Sequence, residues 1–238
     1  MEMNNIKNIL FDLDGTLLPM DMDVFTKGYF SLLAKKAAGY GYEPEKLIET
    51  VWAGVKAMVK NCGPDNNEKA FWNYFVTVYG EKSLDDRHIF DEFYANEFDG
   101  AKQFVGFNAK AKEAVDKIKE KGFNVYLATN PLFPEVATKK RAEWAGFELS
   151  EFLDYTTYEN SSACKPNPMY YEQFLAKNGL KAEECIMVGN DVEEDMEAAK
   201  KVGMQVFLIT DTMLNPKDRD INDYENGSFD DLLKCLLQ

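Results

Sequence analysis

Ile6-Lys7-Asn8-Ile9-Leu10-Phe11-Asp12-Leu13-Asp14-Gly15-Thr16 decides the fold: a short apolar run ends abruptly in two carboxylates that flank one leucine. Read as a buried strand, the run sends successive side chains to opposite faces, so Asp12 and Asp14 leave the strand tip on the same side. Two acids at such a tip suit phosphoryl transfer to a carboxylate. One attacks while its neighbour shuttles protons, and a divalent ion tempers their repulsion. The plainer alternative is a helix-capping Asp beside a turn-forming Asp-Gly pair.

Three further apolar runs, Val125 to Ala128, Ile186 to Val188 and Val206 to Ile209, are like Ile9 to Phe11 too short for helices and continuous rather than alternating. Strands buried on both faces of a parallel sheet read this way. Helical patterns separate the later runs. Ala111, Ala114, Val115 and Ile118 precede Lys121-Gly122, and a second pattern goes from near Pro134 to Gly146. A third goes from near Pro166 to Asn178-Gly179 and a fourth from near Val192 to Val202-Gly203, with glycine at each carboxyl end. The alternation predicts an α/β core with a doubly wound, mainly parallel, Rossmann-like sheet. A weaker strand is expected over Leu153 to Thr157.

The four main runs end in Asp12, Thr129, Asn190-Asp191 and Thr210-Asp211. In open parallel sheets ligands bind just beyond the carboxyl ends of strands, so these polar residues should converge, with Lys165 adding a cation to the rim. Residues 18–103 separate the first strand from the second by far more than one crossover helix requires. They are expected to form an inserted helical cap domain, leaving 1–17 and 104–238 as the core. Its helical patterns are Val24 to Leu33, Val51 to Val59 and Phe71 to Tyr79, broken by Gly63-Pro64-Asp65-Asn66-Asn67. Aromatics at this spacing could line a substrate pocket, but the reading preferred here is the core of a small bundle.

The chain has 238 residues, 45% of them hydrophobic, enough for a large core with a smaller companion. Lys plus Arg number 27 against 41 Asp plus Glu, and the net charge of −14 disfavours nucleic acid and acidic membranes as partners. Met1 to Asn5 lack the basic start and apolar stretch of a secretion signal, and no apolar run reaches membrane-spanning length, so a cytoplasmic protein is expected. Cys62, Cys164, Cys185 and Cys235 lie far apart and read as reduced thiols. A cation beside Cys164 could lower its pKa, but sequence adjacency to Lys165 is not spatial adjacency, and a structural role is preferred. His88 is the single histidine, set in Asp85-Asp86-Arg87 like a solvated helix face, which excludes mechanisms needing an imidazole cluster.

Asp12-Leu13-Asp14-Gly15-Thr16, Ala128-Thr129-Asn130, Lys165-Pro166-Asn167-Pro168 and Val188-Gly189-Asn190-Asp191 leading to Asp195 resemble, in order and context, the four motifs of the haloacid dehalogenase-like hydrolase superfamily. The insert falls where phosphatases of that group carry a helical cap. The resemblance implies that Asp12 is a nucleophile forming an aspartyl-phosphate and that Asp14 protonates the leaving oxygen and then deprotonates water. It implies Mg2+ at Asp12 and the Asp14 backbone carbonyl, and phosphate held by Thr129, Lys165 and Asn130, the last also a turn former before Pro131. The fourth motif departs from the commonest pattern, in which an acid follows glycine. Either Asn190 supplies the metal ligand with Asp195 supporting, which is slightly preferred, or a shift by one residue makes Asp191 the ligand. Glu193 and Glu194 read as acids favoured at a helix start.

The function so implied is a Mg-dependent phosphatase for a small phosphorylated metabolite, working as a monomer or weak homodimer. A phosphomutase of the same superfamily and a non-catalytic phosphometabolite-binding module are the alternatives. A dehalogenase fits less well, because Asp14 supplies an acid that phosphoryl transfer needs and dehalogenases of this group lack.

Overall fold

The four apolar runs form strands β1 (Asn8–Phe11), β2 (Asn124–Leu127), β3 (Cys185–Gly189) and β4 (Gln205–Ile209). The structure is a computed structural model describing residues 5–237, so Met1 to Asn4 of the amino-terminal stretch read above, and Gln238, lie outside the described residues. A fifth strand, β5 (Glu225–Gly227), completes a fully parallel sheet in the order β2-β1-β3-β4-β5. It escaped sequence reading because Glu225-Asn226-Gly227 has no apolar pattern. It is an edge strand held by its register with Phe207 to Ile209.

Strand side chains alternate faces, and both faces are covered. Ile9 and Phe11 join one apolar cluster while Leu10 joins the other. On the first face pack α5 (Ala109–Glu120), α6 (Glu135–Trp144) and α9 (Phe229–Leu237), through residues such as Val115, Ala137 and Phe229. The second face carries α7 (Met169–Asn178) and α8 (Ala198–Lys201), through Phe174 and Ala198. Ile9, Leu10 and Phe11 are wholly buried, and each such side chain contributes about 1.5–3 kcal/mol by leaving water.

Leu153 to Thr157 does not form a strand of its own. Its backbone runs beside β2 instead, Leu153 N–H donating to Val125 O and Leu127 N–H to Asp154 O, with one bridge from Leu127 to Tyr155. The helix expected from Val192 starts as a π-helical turn, Val192–Glu197, before α8.

Between β1 and β2 the chain enters α1 (Met22–Ala38), α2 (Pro44–Val59), α3 (Asn67–Tyr79) and α4 (Arg87–Ala95). Local chemistry sets their starts: the Asp21 carboxylate caps α1, Pro44 opens α2, and Asn66 caps α3 after the Gly63-to-Asn67 break. This helical cap leaves and rejoins the core through adjacent segments, with a Met20–Val105 bridge and Gly106 N–H donating to Pro19 O. It is latched a second time at the start of α3, where the buried Asn67 amide donates to Pro131 O and Cys164 Sγ. His88 is exposed on α4, its Nδ1 2.7 Å from Asp85 O. No helix among the described residues is long and apolar enough to cross a membrane.

Candidate active site

Register places the candidate residues. Phe11 lies opposite Leu127 on one side and Val188 on the other, so the chains following β1, β2 and β3 emerge level with one another. Asp12, Asp14, Thr129, Asn130, Asn190, Asp191 and Asp195 accordingly line one cleft of about 160 Å³ at the carboxyl edge of the sheet. Lys165 enters it from below: fully buried, its Nζ lies 3.0 Å from Asp12 Oδ1 and 2.6 Å from Asp195 Oδ1. The side chains of the four motifs therefore meet at this edge, whereas Thr210 and Asp211, expected to join them from the end of β4, do not line the cleft, and Asp211 is exposed.

After Asp12 the chain turns back on itself, with Leu18 N–H donating to Leu13 O and Gly15 N–H to Leu18 O. Gly15 holds φ at +88°, and a Cβ there would stand 2.4 Å from Asn190 Nδ2, so no other residue fits. Gly189 is needed for a different reason: a Cβ would fall 2.1 Å from Asp195 Oδ2. The Thr16 hydroxyl lies 3.1 Å from both Asp12 Oδ2 and Asn190 Oδ1, either of which can accept its proton.

Asn190 and Asp191 are differently employed. The Asn190 amide donates to Thr212 O at 2.7 Å and its oxygen faces Thr16, bracing the loop after β1 against the loop after β4. Asp191 Oδ1 accepts from the N–H groups of Glu193 and Glu194, while Oδ2 makes no hydrogen bond among the described residues. Asp195 Oδ2 accepts from Asp191 N–H.

Acid crowding dominates the electrostatics. Burial raises Asp195 and Asp191 above the usual carboxylate range, with Lys165 pulling Asp195 back and the capped N–H groups pulling Asp191 back. Burial pushes Glu194 up to about 8, again against Lys165. For Lys165 itself burial pulls downward, yet Asp12 and Asp195 together hold it well above the ordinary lysine value, so it stays an ammonium. One lysine among so many acids leaves room for another positive group.

Three buried polar atoms in this cleft lack partners among the described residues: Asp14 Oδ1, Thr129 Oγ1 and Asn130 Oδ1. Orphaned polar atoms cost free energy unless a ligand or water satisfies them. No three Asp, Glu, His or Cys side chains among the described residues form a ready-made metal cage. That is compatible with magnesium, which is commonly held by one or two carboxylates with substrate phosphate and water. The donor set of hard oxygens fits this ion.

Sequence reasoning missed several participants. Arg141 on α6 is wholly buried and its Nη1 donates to Asp14 Oδ2. Nothing in Lys139-Lys140-Arg141 marks one of three adjacent cations as interior. Burial raises Asp14 above the usual range in spite of this guanidinium, whose charge pulls downward. Glu194 also lines the cleft, accepting from Asn130 Nδ2 at 2.9 Å, whereas Glu193 stays outside on Lys217. The helix-start reading therefore describes Glu193 and is incomplete for Glu194. Tyr170 and Thr156 fix the Thr129 carbonyl, at 3.0 and 2.6 Å. Burial pushes the Cys164 thiol up to about 12, with the Glu194 charge adding to the rise and the contact from Asn67 opposing it.

An open parallel sheet under a helical cap, with two acids beyond its first strand, one held by a buried lysine and the other by a buried arginine, defines a phosphoryl-transfer hydrolase of the capped α/β type. Residues 6–203 match the model of the haloacid dehalogenase-like hydrolases, and the chain belongs to that family, as an enzyme of its phosphatase type. It is 32% identical over 212 residues to a phosphoglycolate phosphatase of Vibrio cholerae, covering 87% of this chain and 86% of the other. It is 25% identical over 205 residues to a ribulose-1,5-bisphosphate 5-phosphatase of Halopiger xanaduensis, covering 84% and 83%. Its fold is shared with the crystal structure of a HAD phosphatase from Thermococcus onnurineus, at a TM-score of 0.60 and 19% identity over 97% of this chain and 98% of the other.

Proposed function

We propose that the protein is a magnesium-dependent phosphatase that hydrolyses a small phosphorylated metabolite through an aspartyl-phosphate on Asp12. The observation that carries this reading is the placement of Asp12. Its Oδ1 is held by Lys165, its Oδ2 faces Thr16, and the orphaned Asp14 Oδ1 and Thr129 Oγ1 share its cleft.

In the first step an Asp12 carboxylate oxygen bonds to phosphorus as the bond to the leaving oxygen breaks, and Asp14 gives that oxygen its proton. Burial favours the protonated form of Asp14 that this requires. In the second step Asp14 takes a proton from water, whose oxygen attacks phosphorus and releases phosphate and the Asp12 carboxylate. Lys165 and the Thr129 hydroxyl stabilise the charge on the phosphoryl oxygens, and Asn130 carries Glu194 beside them. Asp12, the Asp14 backbone carbonyl and Asp191 would hold magnesium, with Asp195 behind them and Asn190 as brace. Bound there, the ion supplies further neutralisation of phosphoryl charge. The four free thiols suit a cytoplasmic setting, and a monomer or weak homodimer is proposed with it.

The experiment is hydrolysis of 4-nitrophenyl phosphate by the purified protein with Mg2+. Activity that disappears in Asp12→Asn supports the reading, and undiminished turnover in that variant overturns the role of Asp12.

A further inference from the structure

The catalytic cleft adjoins a second cavity, also of about 160 Å³, between cap and core, and the two share Asp14, Met22, Leu132 and Phe133 as lining. Asp14 therefore stands at the junction, with its orphaned Oδ1 where a leaving oxygen would receive a proton. Whatever departs from phosphorus is directed into the second cavity. The walls there are aromatic, with Phe25, Tyr29, Trp52, Phe71, Trp72 and Phe133 among them. The helical spacing of these residues indicated core packing, and Phe25 and Trp72 do pack as core, yet together they enclose space. The volume matches that of an engineered cavity of about 150 Å³ that accepts one benzene ring.

The charge of the lining is as informative as its shape. Among the described residues no lysine, arginine or histidine lines this cavity, whereas Asp14 and Asp91 do. Arg141 lies behind Phe133, 4.3 Å from the ring centroid, but all three of its nitrogens are engaged, by Asp14, Thr138 Oγ1 and Ala137 O. Arg87 stacks on Trp72 and is paired with Glu68. A carboxylate or second phosphate entering the cavity would be desolvated with no cation to receive it, at large cost. Apart from the two aspartates, the polar anchors are neutral, among them the Tyr29 and Tyr94 hydroxyls, 2.8 Å apart, and the Tyr158 hydroxyl.

We infer that the substrate is a phosphomonoester whose leaving group carries a flat aromatic ring and neither a carboxylate nor a second phosphate. This rests on the phosphatase reading above, with phosphate in the cleft and the ring in the aromatic cavity. It sets the chain apart from relatives named for phosphoglycolate or ribulose bisphosphate.

The test compares 2-phenylethyl phosphate, ethyl phosphate and 2-phosphoglycolate with the full chain and Mg2+. The first two have alkoxide leaving groups of similar basicity, so their ratio reads ring binding. The expected kcat/KM ratio is about 10- to 100-fold in favour of the phenylethyl ester, the gain from burying one ring. Trp52→Ala, at a residue 45% exposed on the rim of the cavity, should narrow that ratio without unfolding the protein. Equal rates for the two esters, or faster hydrolysis of 2-phosphoglycolate, overturn the inference and leave the phosphatase reading intact. Inertness toward all esters including 4-nitrophenyl phosphate counts against the phosphatase reading instead. Quenching of tryptophan emission then decides the cavity: tighter binding of the phenylethyl than of the ethyl ester upholds it, and equal binding overturns it.

Discussion

The Arg141 guanidinium, wholly buried on α6, forms an ion pair with Asp14, 127 residues away in the chain and one turn beyond the tip of β1. Its remaining nitrogens reach Thr138 and Ala137 on the same helix, so the pair fixes which Asp14 oxygen is committed and which faces the cavities. Breaking a buried pair by removing one partner strands the other, typically at about 3–5 kcal/mol. Arg141→Met should lower unfolding stability by that amount in urea titrations and reduce turnover as Asp14 loses its orientation. A double-mutant cycle with Asp14→Asn should show coupling of at least about 1 kcal/mol, and additivity would mean that the two side chains do not act as a pair.

Asn190 engages both ends of its amide, with Thr16 and Thr212, whereas Asp191 Oδ2 makes no hydrogen bond among the described residues, and on that basis Asp191 is proposed as the magnesium ligand. Asp191→Asn should raise the Mg2+ concentration needed for half-maximal activity by at least about 10-fold, because hard cations favour charged oxygens. Asn190→Ser should leave that concentration nearly unchanged while costing about 1–2 kcal/mol of stability through the lost contacts to Thr16 and Thr212. The reverse pattern in a magnesium titration would restore Asn190 as the ligand.

Cys164 and Cys62 should differ sharply toward iodoacetamide at pH 8. Cys62 is exposed, whereas Cys164 is buried, with its thiol pushed up to about 12 by burial and accepting from Asn67. So small a thiolate fraction slows alkylation by roughly 1,000-fold or more, before access is considered. Mass spectrometry of the native protein should find Cys62 modified first and Cys164 only after unfolding in urea. Early modification of Cys164 would contradict its packing.

Tyr29 supplies a pH dependence. Burial pushes its phenol up to about 12 from an ordinary 10.0, partly opposed by its bond to Tyr94. A raised value in the folded state means that the contribution is complete below pH 10 and is lost as pH rises toward 12. The size is on the order of 3 kcal/mol for a shift of this kind. Urea midpoints measured from pH 9 to 12 should fall, and the fall should be shallower in Tyr29→Phe. Parallel declines for the two proteins would assign the alkaline loss to other groups.

Much of the core was legible because a buried parallel strand leaves a short continuous apolar run, three or four residues in each of β1 to β4. β5 was not, since an exposed edge strand needs only backbone partners. The Leu153-to-Thr157 segment lay between these cases, apolar enough to draw attention but too irregular to pair as more than an outer rung of β2. In the site, Asp12 and Asp14 could be read from strand alternation and Thr129 from its place after a run. Lys165 became readable through the order of the motifs. Glu194 was hidden among neighbouring acids because a π-helical turn changes which of them faces inward.

By itself the sequence determined four of the five strands of the sheet and the two acids at the first strand tip, and it led to the expectation of a helical insert between the first two strands. These follow from periodicities of two and of about 3.6 residues, which act over a few neighbours. Only the tertiary structure decided that Arg141 rather than Lys139 or Lys140 turns inward to Asp14, and that Asn190 braces while Asp191 keeps a free oxygen. It alone set the aromatics of the cap around a cavity that, among the described residues, no lysine, arginine or histidine lines. Such outcomes depend on how whole helices cross and which groups they desolvate together, and no local spacing encodes that.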